Sequence, residues 1–108
     1  MAVVRLDGRR ITDWPSFHQE CKLAFGFPDF YGRNLSALID CLSTLREDDA
    51  MSAFHLGPDE YLRIELMHAE DLRVRAPDII DGFAEAAAEV NERYLAHGEP
   101  LAVVLELD

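Results

Sequence analysis

The chain has 108 residues, enough for one domain that buries roughly two-thirds of its unfolded surface without disulfide or metal staples. Its hydrophobic fraction of 49% is ordinary for a globular protein, but 21 acids face 10 bases, a formal net charge of −11. That balance excludes phosphate-backbone binding to nucleic acid and adsorption to an anionic membrane, both of which need a basic surface.

In chain order, Val3-Val4-Arg5-Leu6 reads as a short strand ended by the turn pair Asp7-Gly8. Asp13 is a candidate N-cap, and Pro15 falls in the first helical turn, where its missing N–H costs nothing. Trp14, Phe17, Cys21, Ala24 and Phe25 follow at helical spacing, and Gly26 stops the helix. Pro28-Asp29-Phe30-Tyr31-Gly32 cannot continue it and predicts an ordered loop. Asn34 is the natural N-cap of a second helix reaching about Leu45.

The polar stretch from Arg46 to Asp59, with Gly57-Pro58, predicts a long surface loop. Tyr61 to Met67 alternates as a strand does, and Glu70 to Ala76 makes a short helical turn broken before Pro77. A long helix is expected from Asp78 to Ala96, ending near Gly98. Leu101-Ala102-Val103-Val104-Leu105 is the clearest buried strand in the sequence. Strands separated by helical crossovers pair in parallel, so the expected object is a single α/β domain over residues 1–108, a small three-stranded parallel sheet with helices packed on it.

Two helices have informative faces. At about 100° per residue, Leu35, Leu38, Leu42 and Leu45 form the core stripe of the second helix. Ser36, Ile39, Asp40 and Ser43 fall on an outward stripe. An apolar Ile39 beside the carboxylate of Asp40 suits a binding patch, although an amphipathic margin has the same composition. In the long helix Ile79, Phe83, Ala87, Val90 and Tyr94 oppose Asp78, Asp81, Glu85, Glu89 and Glu92, a stripe with no lysine or arginine of its own. Like charges at i,i+4 cost a few tenths of a kcal/mol each, and a cationic partner would relieve them.

The charge is uneven: residues 1–35 hold four acids and five bases, net +1, and residues 36–108 hold 17 acids and five bases, net −12. Such a surface attracts basic partners, and it also serves plain solubility. Cys21 and Cys41 are too few for a disulfide framework, the N-terminal residues lack the apolar stretch of a secretory leader, and no apolar run spans a membrane. A cytoplasmic protein with reduced thiols is expected.

No catalytic constellation can be assembled. There is no P-loop, dinucleotide fingerprint or HExxH. His18 with Cys21 could suggest a base and a nucleophile, but Cys21 lies on the apolar stripe and reads as a core thiol. His68-Ala69-Glu70-Asp71 has no defined metal geometry. Enzymatic activity, a metal site and a cofactor are therefore not expected, and a small hydrolase is the weakest of the readings.

The run Pro28-Asp29-Phe30-Tyr31-Gly32-Arg33-Asn34-Leu35-Ser36-Ala37-Leu38-Ile39-Asp40-Cys41-Leu42 closely resembles the signature of the barstar family of intracellular ribonuclease inhibitors. The resemblance extends through His18 and the opening strand, and on into the long helix and closing strand. It implies a three-stranded parallel sheet with helices packed on it, and a second helix that plugs a nuclease active site. A helix carboxylate there takes the place of an RNA phosphate; Asp40 holds that position.

Phe30 and Tyr31 match two loop tyrosines, Asn34 an asparagine at the loop–helix junction, and Ser43 a contacting threonine. Glu85 and Glu89 match acids that meet the enzyme's basic rim. Ser36 stands where the family has an aspartate, Ile39 where it has a tryptophan, and Phe30 lacks a hydroxyl. Additional residues lie around Arg46–Asp59 and after Glu89. The implied partner is a basic ribonuclease or ribonuclease toxin domain, bound by a chain that is monomeric when free. The alternative is an acidic interaction module for a non-nuclease cationic protein.

Overall fold

The computed structural model describes residues 2–108. Strand β1 (Ala2–Asp7) runs through a single 3-10 turn (Gly8–Arg10) into helix α1 (Trp14–Phe25). Helix α2 (Leu35–Leu42), strand β2 (Leu62–Met67), helices α3 (Ala69–Arg75) and α4 (Pro77–Ala96), and strand β3 (Val103–Leu107) follow. The three strands form one parallel sheet in the order β1-β2-β3, so the expected α/β architecture is the one found.

In a parallel sheet of sequential strand order, crossovers of the usual right hand carry the helices to one face. The burial pattern agrees. Val4, Leu6, Leu62, Ile64, Leu66 and Val103 point into the core with Phe17, Leu38, Phe83 and Val90. The opposite face carries a ladder of charge: Glu65 accepts from Arg5 Nε at 2.7 Å and meets Arg63 at 2.9 Å, and Arg63 approaches Glu106 at 3.6 Å. The Arg5 hydrogen bond, with the positive charge of both arginines, holds the Glu65 carboxyl below its ordinary pKa against the effect of burial.

Local chemistry sets the boundaries. Asp13 accepts from the Ser16 N–H while the Ser16 hydroxyl accepts from the Asp13 N–H, a reciprocal capping box at the start of α1. Gly26 ends that helix at φ 69°, and a Cβ there would lie 2.6 Å from the Ala53 side chain, so both backbone conformation and space require glycine. Helix α2 stops at Leu42 rather than about Leu45. The Ser43 hydroxyl bonds the Ile39 carbonyl at 2.6 Å and the Thr44 hydroxyl the Cys41 carbonyl at 2.7 Å, so side chains compete for the helix's own acceptors. Leu45 is nevertheless fully buried.

Two further expectations need correction. Strand β3 begins at Val103, not Leu101, because the Asn91 amide accepts from the Ala102 and Val103 N–H groups and donates to the Val103 carbonyl. As an edge strand it is only partly covered, and central β2 is the most buried of the three. The 46–59 segment has no helix or strand, yet it is more than a surface loop. Leu56 is buried and Met51 and Phe54 pack on the core, while the Ala53 N–H and the Ser52 hydroxyl both bond the Phe25 carbonyl. Arg46 anchors its start, donating to the carbonyls of Glu60, Pro100 and Leu101.

Candidate partner-binding face

The loop between α1 and α2 is held from below. The Tyr31 N–H bonds the Pro28 carbonyl, and the Tyr31 ring turns inward against Phe27 until only 4% of the residue is exposed. Its hydroxyl lies 2.7 Å from His18 Nδ1, and His18 is itself buried between Trp14 and Phe17. Burial, with the nearby positive charge of Arg33, pushes the His18 pKa down, and burial pushes the Tyr31 hydroxyl far up. With Tyr31 fixed inside, neighbouring Phe30 projects at 76% exposure. Arg33 sits at φ 53° and reaches back to Gln19 at 2.9 Å, which turns the chain into α2.

Asn34 caps α2, its side-chain oxygen accepting from the Ala37 N–H at 2.7 Å. That cap sets the helix phase. Leu38, Cys41 and Leu42 enter the core, and Ser36 and Asp40 stay exposed with Ile39 and Ser43 half-buried beside them. Cys41 and Cys21 are free buried thiols whose pKa values burial raises. Neither is poised as a nucleophile.

Helix α4 packs alongside α2 and brings Glu85 and Glu89 to the same side. Between the two helices runs a groove of 430 Å³ with Ser36, Ile39 and Ala86 among its walls and Glu85 and Glu89 on its rim. Gly82 lets the helices close on it: a Cβ there would stand 2.6 Å from the Trp14 ring and 3.3 Å from Leu35. Ser36, Ile39, Glu85 and Glu89 thus share one groove. Asp40 and Ser43 follow at its end, Phe30 stands on the loop before it, and Tyr31 lies beneath the loop rather than on it.

One residue of this face escaped the sequence reading. Arg93, in the last turn of α4, donates to Asp40 Oδ1 at 2.9 Å, lies 3.5 Å from the Ser43 hydroxyl and 4.0 Å from Glu89. The acidic stripe is therefore partly offset by a base of the same helix. Its i,i+4 relation to Glu89 is visible in sequence, but its bond to Asp40 spans 53 positions and is not. Among the described residues no group of three or more histidines, cysteines and acids converges as metal ligands would, and no helix is long and apolar enough to cross a membrane.

The family described as "Barstar (barnase inhibitor)" matches residues 1–106. A Bacillus subtilis (strain 168) protein named "Putative ribonuclease inhibitor YrdF" is 44% identical over 43 residues, 40% of this chain and 47% of that protein. The chain thus matches about half the length of that curated relative. With a family match over nearly every residue and the parallel three-stranded sheet the resemblance implies, the chain belongs to the barstar (barnase inhibitor) family.

Proposed function

We propose that this chain inhibits a basic ribonuclease, or a ribonuclease toxin domain, in the cytoplasm by covering its active site with the face built from the 28–34 loop, α2 and α4. The observation that carries the reading is the groove between α2 and α4 lined by Ile39, Glu85 and Glu89, with Asp40 at its end on the Arg93 guanidinium. An enzyme that binds a phosphate presents cations in a preformed cluster, and a carboxylate on a rigid helix meets that cluster in the substrate's place.

Asp40 is the anchor, Glu85 and Glu89 form the rim, and Phe30 offers an exposed ring to the enzyme surface. Ser36, Ile39 and Ser43 supply the surrounding contact, and Asn34 contributes at the loop–helix junction. Tyr31 acts from below, by holding the loop. The protein itself performs no chemistry in this scheme.

The test is a titration of purified protein against barnase and against the ribonucleases of the organism that encodes the chain, following RNA cleavage. Stoichiometric inhibition is expected. Asp40→Ala should weaken it about 30-fold or more, the effect of losing an interface residue worth about 2 kcal/mol. Unchanged potency of that variant would remove Asp40 from the site. Binding to a cationic protein without inhibition of any ribonuclease would favour an acidic interaction module instead.

A further inference from the structure

Arg93 stands on the wall between two concavities. On one side is the α2/α4 groove with Glu85 and Glu89; on the other is a cleft of 520 Å³ behind the C-terminal turn of α2, with Glu47 and Glu99 in its walls. Arg46, in the same wall, already donates both terminal nitrogens to backbone carbonyls and lies 3.6 Å from Glu99. His97 bonds the Arg93 carbonyl through Nδ1. Glu47 is exposed and stands in no ion pair with the described cations, so the cleft offers a carboxylate with no other claim on it.

The Arg93–Asp40 contact is a single hydrogen bond between side chains that are 44% and 62% exposed. Such pairs are weakly held in water. A partner's guanidinium that grips Asp40 by the parallel two-bond fork needs both carboxylate oxygens, including the one Arg93 occupies. Two guanidinium groups cannot share that position without like-charge repulsion.

We propose that Arg93 is an internal stand-in for the partner's cation at Asp40, and that partner binding displaces it into the neighbouring cleft beside Glu47 and Glu99. The inference rests on the ribonuclease-inhibitor reading and adds a residue that sets affinity by competition. In the free protein Arg93 keeps Asp40 paired. In the complex its departure is offset by the second carboxylate pair, so the inhibitor yields its anchor only to a cation that takes both oxygens.

The experiment measures inhibition of barnase by the unchanged chain, Arg93→Ala, Arg73→Ala, Glu47→Gln/Glu99→Gln and the triple combination, with far-UV circular dichroism to verify folding. Arg93→Ala should bind roughly two- to fivefold tighter, the range of one exposed ion pair. Arg73 is an exposed arginine on α3, so Arg73→Ala makes the same change in net charge away from the face and should give no comparable gain. The Glu47/Glu99 change should weaken binding more when Arg93 is present than in its absence, where only the lost negative charge acts.

Weaker or unchanged binding by Arg93→Ala, or an equal gain from Arg73→Ala, overturns the inference; if Asp40→Ala still weakens inhibition as above, the functional reading stands without it. A glutamate effect that is the same with and without Arg93 overturns the displacement. An unchanged chain that leaves barnase fully active overturns the reading for this enzyme and the inference together.

Discussion

His18 lies beneath the exposed 28–34 loop, at 3% exposure, with Tyr31 as its side chain's only hydrogen-bond partner among the described residues. Burial first, and Arg33 second, lower its pKa in the folded state. The unfolded chain, with histidine near its ordinary 6.5, therefore takes up a proton more readily. Stability should be full above pH 6.5 and fall as the pH drops from there towards the folded-state value. Urea midpoints between pH 8 and 5 test this: His18→Gln should flatten the decline in that window, and an identical slope in both proteins would remove His18 as its source. Asp13 and Glu65 carry lowered pKa values from ordinary values of 3.8 and 4.5, so their contributions fade only in more acid solution.

At this scale the sequence was informative wherever a role is local. The caps at Asp13 and Asn34, the stop at Gly26 and the exposure of Asp40 each follow from near neighbours. The inward turn of Tyr31 and the Arg93–Asp40 bond depend on side chains brought together by tertiary packing, and no spacing rule reaches that far.

Among the elements, the meeting of α1, α2 and α4 decides whether the face exists, and Gly82 is where they meet. Alanine there gains about 1 kcal/mol of helix propensity. Its Cβ would, however, press on Trp14, whose ring is held by a 3.2 Å hydrogen bond to Asp78 and by edge-on contact with Phe17. Overpacking of this kind costs about 1–3 kcal/mol, so Gly82→Ala should be destabilised by about 1 kcal/mol net. A raised urea midpoint would mean that the Trp14 ring yields. Element type and order were legible because each helix and strand carries its own hydrophobic period. The C-terminal end of α2 and the start of β3 were not, since Ser43, Thr44 and Asn91 redirect backbone hydrogen bonds that periodicity ignores.

For the molecule as a whole, the net charge of −11 and its concentration beyond residue 35 give a long-range attraction for a cationic enzyme. Association with a basic ribonuclease should slow by about tenfold or more as the Debye length shrinks from about 30 Å at 0.01 M salt to about 3 Å at 1 M. Stopped-flow rates measure it, and a salt-independent on-rate would remove the acidic surface from the encounter. Composition foretold the sign of that surface but not where it would lie, because placing it requires α2 and α4 to be packed side by side.

The charge ladder on the far side of the sheet has a consequence for crowded solution. Parallel sheets are ordinarily buried on both faces, and a bare one is a template on which another sheet can stack. Here a stacking neighbour would have to strip water from Arg5, Arg63 and Glu106 at once, at a cost that few apolar contacts could repay. The helix-free face of the sheet is thereby kept from stacking on another sheet.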